Sequence, residues 1–143
     1  MALCYRTDSA RHSDAGYPMA VTIDTAGELA DYYEKNKDAY QFQLRHCGEQ
    51  SMAEGVFGEG SGFGDEFFKD RSLLFVVLEE GSGSTRHRVE SVLPENGGLT
   101  VSIERIVPEV GTADMAQWHI VLDLDKASAH MDIKVVLCDE YLS

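Results

Sequence analysis

Six consecutive apolar residues, Leu73, Leu74, Phe75, Val76, Val77 and Leu78, form the longest hydrophobic run in the chain. A run of that length without alternation predicts a central strand covered on both faces. Downstream the pattern changes to period two. Residues 85–93 begin polar and then carry Val89 and Val92. Leu99, Val101 and Ile103 alternate with Thr100, Ser102 and Glu104. Trp118, Ile120, Leu122 and Leu124 alternate with His119, Val121, Asp123 and Asp125, and Ile133, Val135 and Leu137 give a last strand. Such alternation marks strands with one face buried. Turn chemistry separates them: Gly81-Ser82-Gly83-Ser84, then Pro94-Glu95-Asn96-Gly97-Gly98, where Asn-Gly signals a tight hairpin. Pro108 cannot donate to a ladder and ends the strand before it.

Upstream, Met19 to Ile23 reads as a short strand. Thr25 with Glu28 three residues on is a capping-box pattern, and Ala26, Leu29, Ala30 and Tyr33 follow at helical spacing. A helix is therefore expected over residues 25–37 and should cover one face of the central strand. Tyr32, Tyr33 and Tyr40 are expected in core and boundary packing, because no basic residues flank them as a nucleic-acid groove requires. Residues 58–64 are rich in glycine. They lack the Lys-Ser/Thr ending of a phosphate loop and are flanked by acids. Residues 65–70 suit a short helical turn. The fold expected is an α+β domain: a mostly antiparallel sheet or half-sandwich of about five strands with one or two N-terminal helices. Residues 1–16 read as a flexible lead-in and 17–143 as one domain. In a meander of antiparallel strands the 81–84 and 108–117 loops lie at one end and the Asn96-Gly97 turn at the other.

The net charge of −13 over 143 residues adds a constraint. It is spread along both halves, as expected of a solubilising surface, and disfavours nucleic acid and anionic lipid, which need a cationic footprint. Cys4, Cys47 and Cys138 form no CxxC pair, so neither a zinc ribbon nor a thioredoxin-like site is indicated. One bridge with a free thiol and three reduced thiols are both compatible with the count. No apolar stretch is long enough for a transmembrane helix, and no signal-peptide core is expected at the N-terminus.

The loop end gathers the candidate binding residues: Ser82, Ser84, Arg86, His87, Thr112, Asp114, Met115, Trp118 and His119. Loops on a rigid sheet are where binding commonly resides. His87 and His119, with Glu79 or Asp114, suggest a three-ligand metal site with an open position. No HxH or HExxH spacing accompanies them, so no metal or cofactor is assigned. Ser82 or Ser84 with His119 and Asp114 has the membership of a nucleophile triad, but no nucleophile elbow is present, and Ser-Gly-Ser is ordinary turn chemistry. Trp118 is expected as a core anchor. An exposed edge strand would pair two copies of the chain, and the pattern leaves open which strand that is.

Phe67-Phe68, the 73–78 run, Gly81-Ser82-Gly83-Ser84, Val107-Pro108, Gly111-Thr112, Met115-Ala116 and Trp118-His119 together resemble bacterial domains related to the C-terminal domain of the PrcB-type protease-complex subunit. The resemblance covers about residues 17–126. After the first strand of the block the chain departs from it, with Ser84-Thr85-Arg86-His87 where the family tends to carry a Thr-Gly-Gly-Tyr-like turn. The resemblance implies a secreted or envelope-associated protein of a family with no established catalytic activity. The function expected is a non-enzymatic binding module that presents loops 81–86 and 109–119 to a protein or peptide. The rival expectations are a peptidase-inhibitor-like or protease-associated module, and a metal-dependent enzyme using His87 and His119.

Overall fold

The computed structural model describes residues 2–8, 16–46 and 48–142. Three layers stack on the 73–78 run. It lies in strand β3 (Arg71–Glu80), which pairs antiparallel with β2 (Met19–Ile23) on one side and β6 (Ala116–Asp125) on the other. Strand β1 (Ala2–Arg6) adds antiparallel to β6, giving a four-stranded sheet in the order β1-β6-β3-β2. A second sheet packs on one face in the order β4 (Arg86–Glu95), β5 (Gly98–Val107), β7 (Asp132–Tyr141). Helix α1 (Ala26–Asn36), the short helix α2 (Met52–Gly55) and the loops around them cover the other face.

This double cover explains the unbroken apolar run. Leu74, Val76 and Leu78 face the three-stranded sheet with Leu99, Val101, Ile103, Trp118, Ile120 and Leu122. Leu73, Phe75 and Val77 face the helical layer with Ile23, Leu29, Phe42, Met52, Val56 and Val121. Alternate residues of a strand point to opposite faces, so a strand with two cores beside it has no polar side. The tyrosines take the packing roles expected: Tyr40 is buried, and Tyr32 and Tyr33 pack at the margin of the helical core.

Local signals hold where they were strong. The Thr25 hydroxyl accepts from the Glu28 amide at 3.0 Å and caps α1. The Glu28 carboxylate reaches one residue further back than in the usual box, to the Asp24 amide at 3.1 Å. Asn96 and Gly97 take φ of 51° and 78°, the left-handed pair that a two-residue hairpin requires.

Three expectations are corrected. The strands number seven among the described residues and form two sheets, one of them mixed. The meander is absent, because residues 81–85 carry the chain from one sheet to the other and β3 never pairs with β4. Likewise β7 runs parallel to β5. Finally, the lead-in contains β1, and Thr7 beyond it is fully buried; residues 9–15 of it lie outside the described residues. Leu3 and Tyr5 pack on the helical side and Cys4 on the other, an alternation too short to stand out in sequence.

Candidate functional site

Although the meander is absent, the two loops meet. Both β3→β4 and β5→β6 cross between the sheets at the same end of the sandwich. There residues 81–85 and 108–115 lock together through small polar side chains. The Ser82 hydroxyl lies 2.8 Å from that of Ser84 and 3.2 Å from that of Thr112. The Thr112 amide donates to Ser82 Oγ at 2.8 Å and to Ser84 Oγ at 3.2 Å. Asp114 braces the second loop, accepting from the Gly83 amide at 3.1 Å and from Arg6 Nη2 at 2.9 Å. Hydrogen bonds from Thr112, Arg6 and Gly83 hold the Asp114 carboxyl well below the usual range. At Gly83 a Cβ would collide with both the Asp114 carboxylate and the Arg6 guanidinium, so glycine there is set by close approach.

Arg86 folds back onto this frame. Its Nη1 donates to Gly83 O at 2.6 Å, and its guanidinium carbon sits 5.5 Å from the centre of the Trp118 ring, a cation–π distance. Ser82, Ser84, Arg86, Thr112 and Asp114 are thus brought together, and each is engaged by its neighbours. Beside the exposed Glu109, Thr112 and Asp114, two large apolar side chains also face outward. Val110 is 83% exposed and Met115 is 44% exposed. The end of β7 arrives beside them, where the Leu142 amide donates to Val107 O, and Tyr141 and Leu142 are also exposed. Four of the six large exposed hydrophobics among the described residues are therefore at this end.

Beneath the loops lies a buried ionic cluster. Glu80 is 3% exposed and receives a two-pronged clasp from Arg105, Nε to Oε2 at 2.9 Å and Nη2 to Oε1 at 2.5 Å. His87 Nε2 lies 2.6 Å from the same Oε2, and its side chain has no exposure. Arg105 also reaches Asp139 at 2.6 Å. Burial works to raise the Glu80 pKa, but the hydrogen bonds and charges of Arg105 and His87 outweigh it and hold the carboxyl down at about 2. Trp118, 4% exposed, is the core anchor expected, with the His87 and His46 rings edge-on at 5.5 and 5.6 Å. Trp118 Nε1, His87 Nδ1 and His46 Nε2 have no hydrogen-bond partner among the described residues. A cavity of about 20 Å³ between Cys4, His46 and Trp118 has room for a single water.

His119 belongs elsewhere. Its side chain leaves β6 on the helical face, opposite Trp118, and is fully buried among Tyr32, Tyr40, Phe42 and Phe75. Nδ1 meets the Thr7 hydroxyl and Nε2 the Tyr32 hydroxyl, each at 2.6 Å. A neutral imidazole offers one donor and one acceptor, so one hydroxyl donates and the other accepts. Burial pushes the His119 pKa down to about 3. His87 and His119, grouped in the sequence as possible ligands of one metal site, are therefore on opposite faces of the four-stranded sheet and cannot share a metal ion. No group of three or more His, Cys, Asp or Glu suited to a metal gathers among the described residues. The drawn triad is likewise dispersed: the serines bond to each other and to Thr112, and His119 faces away. Cys4 and Cys138 are free thiols, and burial, then Glu49, pushes the Cys4 thiol up to about 11. Cys47 lies outside the described residues.

Sequence reading missed Arg6, Arg105 and Val110. Arg105 had a signal, because it continues the buried parity of Leu99, Val101 and Ile103, where a cation needs an anion opposite. Arg6 had none, since its role depends on β1 pairing 112 residues away with β6. Two hollows flank Tyr33 on the helical side, one of about 350 Å³ between α1 and residues 53–63 and one of about 620 Å³ over residues 37–44. Glu34 is the one charged side chain lining the first, and neither involves the loop end. No protein-family model, curated protein or solved structure matches the chain.

Proposed function

We propose that the chain is a non-enzymatic binding module that grips a protein partner with loops 81–86 and 109–119. The observation that supports this reading is Val110 and Met115, held outward by loops in which Ser82, Ser84, Arg86, Thr112 and Asp114 engage one another and Arg6. Exposed apolar side chains on a pre-organised frame lose little entropy on binding and serve as anchors. The hollows of the surface lie elsewhere, and this end projects outward, which suits a macromolecular surface better than a small molecule. The PrcB-type resemblance makes a protease, or a subunit of a protease complex, the first partner class to try.

The test places a photoactivatable residue at position 110 and, as a control, at Leu93 at the far end of the sandwich. Position 110 is expected to yield a discrete adduct that position 93 does not. The purified partner should then lose at least tenfold in affinity for Val110→Asp/Met115→Asp, roughly 1.4 kcal/mol or more, with the melting temperature unchanged. Equal labelling from both positions, or full affinity in the double variant, would overturn the reading.

A further inference from the structure

The three-stranded sheet has two long edges that differ. Strand β4 is blunted: its pairing with β5 slips between Val89 and Ser91, Pro94 within it has no N–H to offer, and Arg88 and Glu90 project from it. These are devices that discourage edge-to-edge pairing. Strand β7 has neither the slip nor the proline, and the charges it does expose, Asp132, Lys134, Asp139 and Glu140, are of both signs. It carries no proline and no glycine, and it keeps register with β5 over ten consecutive pairs. Among the described residues no strand pairs with its outer side. The bond from the Leu142 amide to Val107 O turns the even-numbered backbone groups of β7 toward β5. Ile133, Val135, Leu137, Asp139 and Tyr141 therefore direct their N–H and C=O groups to the free edge.

We propose that two copies of this chain pair through β7, antiparallel about a two-fold axis, to join their three-stranded sheets into one of six strands. Charge selects the register. A two-fold axis normal to the sheet sets residues of the same face opposite one another, so paired numbers share parity. Centring the axis on Leu137 places Lys134 opposite the partner's Glu140 on the outer face, and symmetry repeats the pair. On the inner face it sets Ile133 against the partner's Tyr141 and Leu137, 39% exposed, against the partner's Leu137. Every pair that must hydrogen-bond in this register uses the free odd-numbered groups. Moving the axis to Val136 instead sets Asp132 opposite the partner's Glu140, with like charges facing, and leaves Lys134 opposite the partner's Cys138. Opposed charges across a ladder stabilise and like charges destabilise it. Glu140 gains further, because its hydrogen-bonded neighbour Glu104 raises its pKa and an arriving cation relieves that strain. Tyr141 is the one β7 residue this surface shares with the loop end; Val110 and Met115 lie outside it, and antiparallel pairing sends the two loop sets to opposite poles of the dimer.

The experiment combines sedimentation equilibrium with a designed cross-link. With Cys4 and Cys47 replaced by serine, Val136→Cys sets a thiol directly opposite the partner's Cys138. Mild oxidation is expected to give a covalent species of twice 15.8 kDa, which the parent with Cys138 alone does not give, because the two Cys138 lie diagonally across the axis. Lys134→Glu should weaken association about tenfold, and Lys134→Glu/Glu140→Lys should restore it. Leu137→Pro removes an edge N–H without touching the β5 ladder; it should give a folded monomer, checked by circular dichroism and melting. The loop variant Val110→Asp/Met115→Asp should dimerise like the parent, so failure here and failure of the loop reading are separable. A chain that stays monomeric at about 100 µM, without the Val136→Cys cross-link, would overturn the proposal. So would a dimer indifferent to both Lys134→Glu and Leu137→Pro.

Discussion

Trp118 and His119 are adjacent in sequence yet sit in two different interiors, one on each face of the four-stranded sheet. On the helical face, His119 is enclosed by aromatic rings and both its nitrogens are paired, with Thr7 and Tyr32. On the sandwich face, Trp118 lies in a mainly aliphatic core, its own N–H without a partner among the described residues, beside a buried charge cluster of Glu80, Arg105 and His87. The first interior holds its polar group as a neutral, saturated bridge. The second holds an ionised carboxylate that survives burial because a guanidinium grips it with two hydrogen bonds. A neutral bridge tolerates loss of one bond, whereas a buried charge stripped of its partner does not.

The largest expected effect follows from that contrast. Arg105→Met leaves the Glu80 carboxylate buried with His87 as its remaining side-chain partner and should cost about 3–5 kcal/mol of stability. Urea denaturation measures it, and Arg105→Met/Glu80→Leu should recover much of the loss. A double variant no more stable than the single one would show that the cluster does not carry its charge at this cost.

The two interiors should also separate by pH. His119 has a folded pKa near 3 against 6.5 unfolded. Its contribution is complete above pH 6.5 and drains as pH falls, because the unfolded state then binds a proton that the folded state refuses. Between pH 6.5 and 5 the loss should reach about 2 kcal/mol. Glu80 has the opposite dependence on partner charge but the same sign: its pKa is depressed to about 2, so its share survives above 4.5 and fades below it. His46, lowered by burial and by Arg86, adds in the upper window. Melting curves of the parent and of His119→Phe across pH 7 to 5 test this. The variant should start less stable and show a flatter slope, and an unchanged slope would assign the acid sensitivity elsewhere.

Smallest is the effect of Gly83→Ala at the loop end. The new methyl group displaces the tips of Asp114 and Arg6, both flexible, so global stability should fall by only about 1 kcal/mol. Hydrogen exchange at the Thr112 amide should quicken markedly, because the brace beneath Val110 and Met115 loosens.

Much of this was legible before any coordinates. The 73–78 run announced a strand with two covers, Thr25 announced the start of α1, and Asn96-Gly97 announced the hairpin. Each is decided by neighbours within a few residues, where rotamer entropy, capping and turn geometry act. The co-location of the two loops was also legible, though through a meander that does not exist. It holds because both connections cross between the sheets at one end, not because consecutive strands pair.

By itself, then, the sequence determined the principal elements from β2 onward and the loop residues that meet, but neither β1 nor the burial of both faces of β6. Tertiary structure alone decided which face each buried side chain serves, and with it the separation of His87 from His119. It also decided the partnership of Arg6 with Asp114, the clasp of Arg105 on Glu80, and which of two ten-residue edges is left open. The reason is physical. Hydrophobic periodicity records how often a side chain is buried but not against what, and sheet order is set by pairings between segments up to about a hundred residues apart that leave no local trace.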